Sequence, residues 1–550
     1  MKSHGLEARK SLMRHPWFAG GLLLILATTL RLYRLEGQLW LDEISALRGY
    51  RKPFLETLTT FPSFFPNPLY ELMAHASLLL FGESALAIRL PAAVFGVAGV
   101  LMFYRLARRC LGAGEGFLAA AMLAVSYHHI FFSQDARGYT AYLFFALWAT
   151  DRLLHLLETM RWQTALTYAA ASALATYAHP FGCFVLAGQM LVAVPLVWTR
   201  GKAKVLGGPT LGQMAGTAAV ASLAILILYA PLIRDSVAYA FTEARGEYHG
   251  PRVHALLPEL LEGMRASFGG WPILISGIVV GVIGTVDLLR RSPVALALLV
   301  APLAISAMTI AVLGAGVHPR YFLLALPLGY LVGTRGLMQT ARWLLKLGPR
   351  LSPRNSLRAQ VVVAGVAIVL AGVPLRRYYA LPKQDYLGAL GEVYDKANPE
   401  DRIVAADLAG RAITLYYDSD VTVIAQLEDL LRVEASGRRV WVITTLERVM
   451  AISAPELLSR LHQHYRRVRV LPGTVGDGAM RIYVREGTHR PVGLDHVRSR
   501  ERAPSITYRQ RPGSWTVPLR RSHSDASSGE LRSACHRREY PERAIRTRNG

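Results

Sequence analysis

Apolar runs about as long as a bilayer is thick recur along the first two thirds of the chain, and most are closed by Arg or Lys. A helix needs roughly 20 apolar residues to cross the hydrocarbon, so runs near 17–35, 87–108, 114–132, 138–157, 162–178, 181–198, 212–233, 271–289, 293–315, 320–344 and 358–375 predict about 11 transmembrane helices. The stretch from Pro68 to Phe81 is short for a span and carries Glu71 and His75, which suits a juxtamembrane helix lying in the interface. After residue 385 short apolar runs alternate with amphipathic helices: strands are expected near 402–406, 421–425, 439–444, 468–470 and 482–484, and a helix from Pro455 to His464. The expected organisation is therefore a polytopic α-helical membrane domain over 1–380, a small C-terminal α/β domain over 385–486, and an Arg-, Ser- and Pro-rich tail over 487–550 that reads as disordered and suggests no function. The α/β segment has no Gly-rich loop after its first strand, which argues against a nucleotide-binding module.

Composition supports a core made in lipid: 52% of the 550 residues are apolar, 18% are charged, and the mean hydropathy is +0.27. The net charge of +24 would suit a nucleic-acid binder, but Lys and Arg fall mostly at the ends of apolar runs and in the tail. That is a topology signal, and no nucleic-acid partner is expected. The basic start (Lys2, Arg9, Lys10, Arg14) precedes an apolar run without a clear cleavage site, so it reads as an uncleaved anchor on the inner side. If Pro68 to Phe81 does not cross, every later inner loop is basic: Arg105 to Arg109, Arg152 to Arg161, Arg200 to Lys204, Arg290-Arg291 and Arg342 to Arg358. An odd number of spans then puts everything after Pro374 outside. Cys110, Cys183 and Cys535 are too few and scattered for a disulfide framework or a metal cluster.

The outer connections collect the chemically versatile residues. Asp42 and Glu43 follow the first span, where an acidic pair at the water boundary suits proton transfer between lipid-borne and water-borne reactants; an isolated acidic dipeptide is more often a solvated loop. Ser133 to Tyr139 places Asp135, Arg137 and Tyr139 in one turn. Arg137 either snorkels to headgroups or clamps a phosphate through its planar fork, and Asp135 either orients it or is a second acid. His179-Pro180 breaks the chain at an outer boundary, and His318-Pro319-Arg320-Tyr321 concentrates a cation and two hydrogen-bonding rings at the start of a span. The long outer loop offers Glu243, Arg245, Glu247, His249 and Arg252, with no diagnostic ligand spacing, so a divalent metal stays open and no cofactor is assigned.

The ordered set Leu39-Trp40-Leu41-Asp42-Glu43, Asn67-Pro68-Leu69-Tyr70, Phe81-Gly82-Glu83 with Ile88-Arg89-Leu90-Pro91, Phe132 to Tyr139, and Pro319-Arg320-Tyr321 resembles the membrane glycosyltransferases of the protein O-mannosyltransferase and aminoarabinose transferase superfamily, over residues 15 to 380. The resemblance implies a GT-C fold in a bacterial plasma membrane, with the active site and the α/β domain extracytoplasmic. It implies hexosyl or pentosyl transfer from a polyprenyl-phosphate sugar donor to an acceptor protein, glycan or lipid, by an inverting mechanism. Asp42 would be the general base with Glu43 beside it; Arg137, Arg320, Tyr139 and His179 would hold the donor phosphate, with Asp135, His318 and Tyr321 in support. Where the family often has Glu-Ala-Arg, this chain has Asp135-Ala136-Arg137, a shorter acid that leaves that carboxylate's role open. The rival reading is a lipid or sugar transporter without transferase activity, although the charged motifs sit at the outer boundary rather than the midplane and no internal repeat is visible.

Overall fold

A computed structural model describes residues 16–60, 67–203, 208–235, 237, 271–313, 319–347 and 352–487. The candidates Glu243, Arg245, Glu247, His249, Arg252 and His318, and the tail from 488, lie outside the described residues.

Every run expected to span is helical: α1 (Pro16–Leu32), α4 (Ala85–Leu111), α5 (Ala113–Ala124) with α6 (Tyr127–Ser133), α7 (Tyr139–Glu158), α8 (Trp162–Ala178), α9 (Gly182–Lys202), α10 (Leu211–Tyr229), α11 (Trp271–Arg291), α12 (Pro293–Leu313), α13 (Ala325–Leu347) and α14 (Pro353–Gly372). Between the first two spans lie α2 (Leu41–Tyr50) and α3 (Pro68–Phe81). Among the described residues, five helices are long and apolar enough to cross a membrane, six if the bent pair α5–α6 counts as one span. Several others carry charge within the helix, and the protein pairs those charges with one another. Arg335 on α13 donates to Asp287 on α11 (2.6 Å) and to both oxygens of Glu115 on α5 (3.0 and 2.9 Å), and Asp151 on α7 accepts from Arg105 on α4 (3.0 Å). Pairing of this kind is what lets a charged residue sit inside a helix bundle.

The third expected span is broken. Its two halves meet at a 60° bend, where Ser126 caps the second by accepting from the His129 N–H (3.4 Å). Backbone groups freed at such a break need partners. Fully buried Arg31 of α1 supplies them, donating to the carbonyls of Ala27 (3.1 Å) and Ala124 (3.2 Å) and to Ser133 Oγ (3.2 Å), with Nη2 2.6 Å from His129 Nδ1. The bend delivers the Gln134–Gly138 turn to the mouth of the bundle. Another departure from expectation is at Pro319–Phe322, a short 3-10 turn that precedes α13, so Arg320 stands before that helix and not within it.

The C-terminal segment forms a five-stranded sheet in the order β2-β1-β3-β5-β4, with β1 Arg402–Ala406, β2 Thr422–Ile424, β3 Val440–Thr444, β4 Arg466–Leu471 and β5 Met480–Arg485. β1 is parallel to β2 and β3, whereas β5 runs antiparallel to β3 and β4. β3 is buried at all five positions, as the centre of a covered sheet must be. One apolar cluster joins the sheet to the membrane domain: Leu39, Ile44, Leu47 and Tyr50 of the acidic motif and α2 pack with Tyr70, Ile88, Tyr386, Leu390, Trp441 and Ile482. The acidic helix is thus a shared element, pressed between α3 and α4 on one side and the C-terminal layer on the other.

Candidate active site

The acidic pair occupies the first turn of α2, where carboxylates meet the unpaired N–H groups and positive end of the helix. The neighbours then diverge. Glu43 is fully buried, with Oε1 2.7 Å from Arg89 Nε and Oε2 2.5 Å from Arg89 Nη2, and it accepts from the Ala136 N–H (3.1 Å). Arg89 spends its remaining donors on the carbonyls of Leu35, Gly37 and Gln38 at 2.7–3.0 Å. Burial alone would raise the Glu43 carboxyl, but the Arg89 charge, and after it Lys383, outweigh burial and hold it at about 2. This bidentate pair ties the chain after α1, the acidic helix, α4 and the Asp135–Arg137 turn into one unit.

Asp42 points the other way and remains partly open, its side chain 17% exposed. Its Oδ2 lies 3.6 Å from Arg137 Nη2 and 3.4 Å from Arg320 Nη1, while its carbonyl accepts from Arg137 (2.8 Å). Three segments distant in sequence therefore meet at one carboxylate. His179 is buried nearby, its ring 5.5 Å from that of Tyr139 and 5.3 Å from that of Phe181, and Tyr321 stacks on Phe181 at 4.7 Å. Burial, followed by the Arg320 and Arg137 charges, pushes the His179 imidazole down to about 3. It is a neutral ring, and since Nδ1 accepts from the Phe181 N–H (3.3 Å), its proton sits on Nε2 as a hydrogen-bond donor.

Asp135 meets Arg137 through the backbone, its carbonyl accepting from the Arg137 N–H (2.7 Å), while its carboxylate turns elsewhere. Its Oδ1 accepts from Trp40 Nε1 (2.8 Å) and lies 3.2 Å from Lys383 Nζ. Burial raises its carboxyl against the pull of Lys383. Lys383 also donates to the Gln134 carbonyl (2.9 Å), sits 3.6 Å from Glu43, and lies over the rings of Phe131 and Trp40. Gln384 accepts from the Leu41 N–H (3.0 Å), and Tyr417 donates to the Leu39 carbonyl (2.5 Å). Sequence reasoning missed Arg89, Lys383 and Gln384 as parts of this framework. Arg89 stood within a quoted motif as a charge near the start of an apolar run, which was a usable signal; Lys383 and Gln384 lie more than 300 residues from the acidic pair, with nothing local to mark them. Among the described residues no group of three or more His, Cys, Asp or Glu side chains is arranged to hold a metal ion.

The profile of the dolichyl-phosphate-mannose-protein mannosyltransferase family matches residues 65–233. No curated protein sequence matches. Among solved structures, apo ArnT from Cupriavidus metallidurans is similar at 13% identity and a TM-score of 0.51, over 84% of this chain and 97% of that one. The same enzyme bound to undecaprenyl phosphate gives 13% identity and 0.49 over the same shares, and the oligosaccharyltransferase AglB from Archaeoglobus fulgidus, in complex with an inhibitory peptide and a dolichol-phosphate, gives 13% and 0.46 over 84% and 74%. At this identity the first likeness speaks to the fold, and the family profile speaks to residues 65–233, which hold the Asn67–Tyr70 and Phe132–Tyr139 motifs but neither Asp42-Glu43 nor Pro319-Arg320-Tyr321. Both agree with the resemblance read from the ordered motifs: residues 65–233 are similar to the dolichyl-phosphate-mannose-protein mannosyltransferases, and the chain has a fold like that of ArnT.

Proposed function

We propose that the chain transfers a sugar from a polyprenyl-phosphate carrier to an acceptor hydroxyl or amine at the outer face of the membrane, with inversion at the anomeric carbon. The observation that carries this reading is the meeting of Arg137 and Arg320 at the open Asp42 carboxylate. At 3.6 and 3.4 Å these contacts are longer than about 2.7–2.9 Å, the usual charge-assisted hydrogen bond, so an entering phosphate can compete for both guanidinium groups.

In this mechanism Asp42 accepts the proton of the attacking acceptor as the new glycosidic bond forms. The bond from the anomeric carbon to the phosphate oxygen breaks, and polyprenyl phosphate leaves as an anion. Such a leaving group needs charge stabilisation more than protonation, and Arg137 and Arg320 supply it. Neutral His179 adds a hydrogen bond from Nε2, with Tyr139 and Tyr321 shaping the same wall. Glu43, locked to Arg89, and Asp135, locked to Trp40 and Lys383, position the reacting carboxylate without touching substrate. The donor's carrier is suggested by the family profile, and the sequence offers no preference among protein, glycan and lipid acceptors.

The test is Asp42→Asn in purified protein. Turnover should fall by about a hundredfold to ten-thousandfold, the usual range of a general base, while binding of undecaprenyl phosphate is retained. Near-full turnover in this variant would exclude Asp42 as the base. Consumption of a polyprenyl-phosphate sugar by wild-type protein without any ion gradient separates a transferase from the rival transporter.

A further inference from the structure

Asn67-Pro68-Leu69-Tyr70 belongs to the ordered motif set, yet it has no part in the machinery above, and neither has the adjoining Glu71. Asn67 stands immediately before α3, and Glu71 lies in the first turn of that helix. Asn67 is 4% exposed and its Oδ1 accepts no hydrogen bond among the described residues. Glu71 is 6% exposed, and among the described residues its carboxylate is influenced by charges but accepts no hydrogen bond.

Glycines keep both groups in place. A Cβ at Gly138 would lie 2.7 Å from Asn67 Oδ1, and one at Gly49 would lie 2.8 Å from Glu71 Oε1. Gly49 is on the acidic helix and Gly138 directly follows Arg137, so the amide and the carboxylate line the seam between those two parts of the site. Burial pushes the Glu71 carboxyl up to about 7 against the pull of Lys52 and Arg137. A buried amide oxygen without a protein donor is costly to keep, and a group left this way in a native fold calls for an outside partner, with the Glu71 carboxyl one turn away to share it. A polyhydroxylated ligand provides donors to both.

We propose that Asn67 and Glu71 form the subsite that reads hydroxyl groups of the donor sugar, on the Arg137 side of the proposed phosphate position. This rests on the transfer reading above and adds the residues that distinguish a loaded carrier from an empty one. Specificity of this kind follows from polar groups that stay unpaired when the wrong ligand enters.

The experiment measures binding to the full-length protein in lipid nanodiscs of undecaprenyl phosphate, bare or carrying mannose, glucose, galactose or an aminopentose. At least one loaded carrier should bind wild type more tightly than the bare carrier. Glu71→Gln and Asn67→Ala should each weaken that loaded carrier by about tenfold, the scale of a lost charged or buried hydrogen bond, and leave the bare carrier unchanged, which also reports that the variants fold. Gly49→Ala, whose new methyl presses only on the flexible end of Glu71, should act like Glu71→Gln. Equal losses on loaded and bare carriers, no loss on either, or no preference for any loaded carrier in wild type would each overturn the subsite. Failure of wild type to bind even the bare carrier would remove the transfer reading, and the subsite with it.

Discussion

Asp42 and Glu43 share a peptide bond and little else. Glu43 is fully buried against Arg89, and its lowered carboxyl sets a clear sign for its stability contribution. That contribution is fully present above the ordinary carboxylate range, near 4.5, and is lost as pH falls through about 2. Glu43→Gln leaves Arg89 as an uncompensated buried charge, so it should destabilise the protein at neutral pH by about 3–5 kcal/mol. Its stability should also change less than that of wild type between pH 4.5 and 2, as thermal unfolding in detergent at the two ends of that window will show. An unfolding profile identical to wild type would mean that the pair does not tie the site together. Arg137→Lys tests the opposite face: a point charge replaces a planar fork, so donor affinity should drop although charge is kept. Unchanged donor binding would leave Arg137 as a headgroup anchor.

Among the elements, α11 and α13 show how a helix pair can be set by what it lacks. A Cβ at Gly336 would stand 1.8 Å from the Val280 carbonyl oxygen, and one at Gly284 would stand 2.0 Å from that of Val332. Backbone packs on backbone there, as small residues permit in membrane helices, and Arg335 beside the crossing pairs with Asp287 across it (2.6 Å). Gly336→Ala should therefore lower stability by about 1–3 kcal/mol through overpacking. Gly329→Ala on the same helix, with nothing within 4 Å of its Cβ, should not. A melting temperature equally unaffected by both would show that the crossing relaxes freely. The broken α5–α6 span belongs to the same scale: a buried arginine from α1 satisfies the break, and the break in turn aims the Asp135–Arg137 turn at the acidic helix.

For the molecule as a whole, the C-terminal layer is part of the site's scaffold. Lys383, Gln384 and Tyr417 each bond to the acidic motif or to the turn facing it, and the sheet's apolar cluster continues into α2. On the topology expected from the basic loops, this layer lies outside, on the face of the proposed reaction. A topology reporter inserted after Pro382 should accordingly be accessible from the outer side of intact cells. A cytoplasmic readout would overturn the eleven-span arrangement and the outer placement of the site with it.

What could be read from the sequence was whatever rests on local pattern. Apolar runs near twenty residues marked the helical segments, short alternating runs marked the strands of a C-terminal sheet, and the order of Asp42-Glu43, Asp135-Ala136-Arg137 and Pro319-Arg320-Tyr321 carried the resemblance. Such features depend on residues a few positions apart, where periodicity and turn chemistry act. Only the tertiary structure decided which acid is locked and which is open, because that depends on Arg89 and Lys383 reaching Glu43 while Arg137 and Arg320 reach Asp42. The same holds for Asp135, turned toward Trp40 and Lys383 instead of Arg137, and for Asn67, whose Oδ1 accepts no hydrogen bond among the described residues. Burial and charge pairing act across space with no regard to chain separation, so one sequence can list the charged groups but cannot by itself pair them.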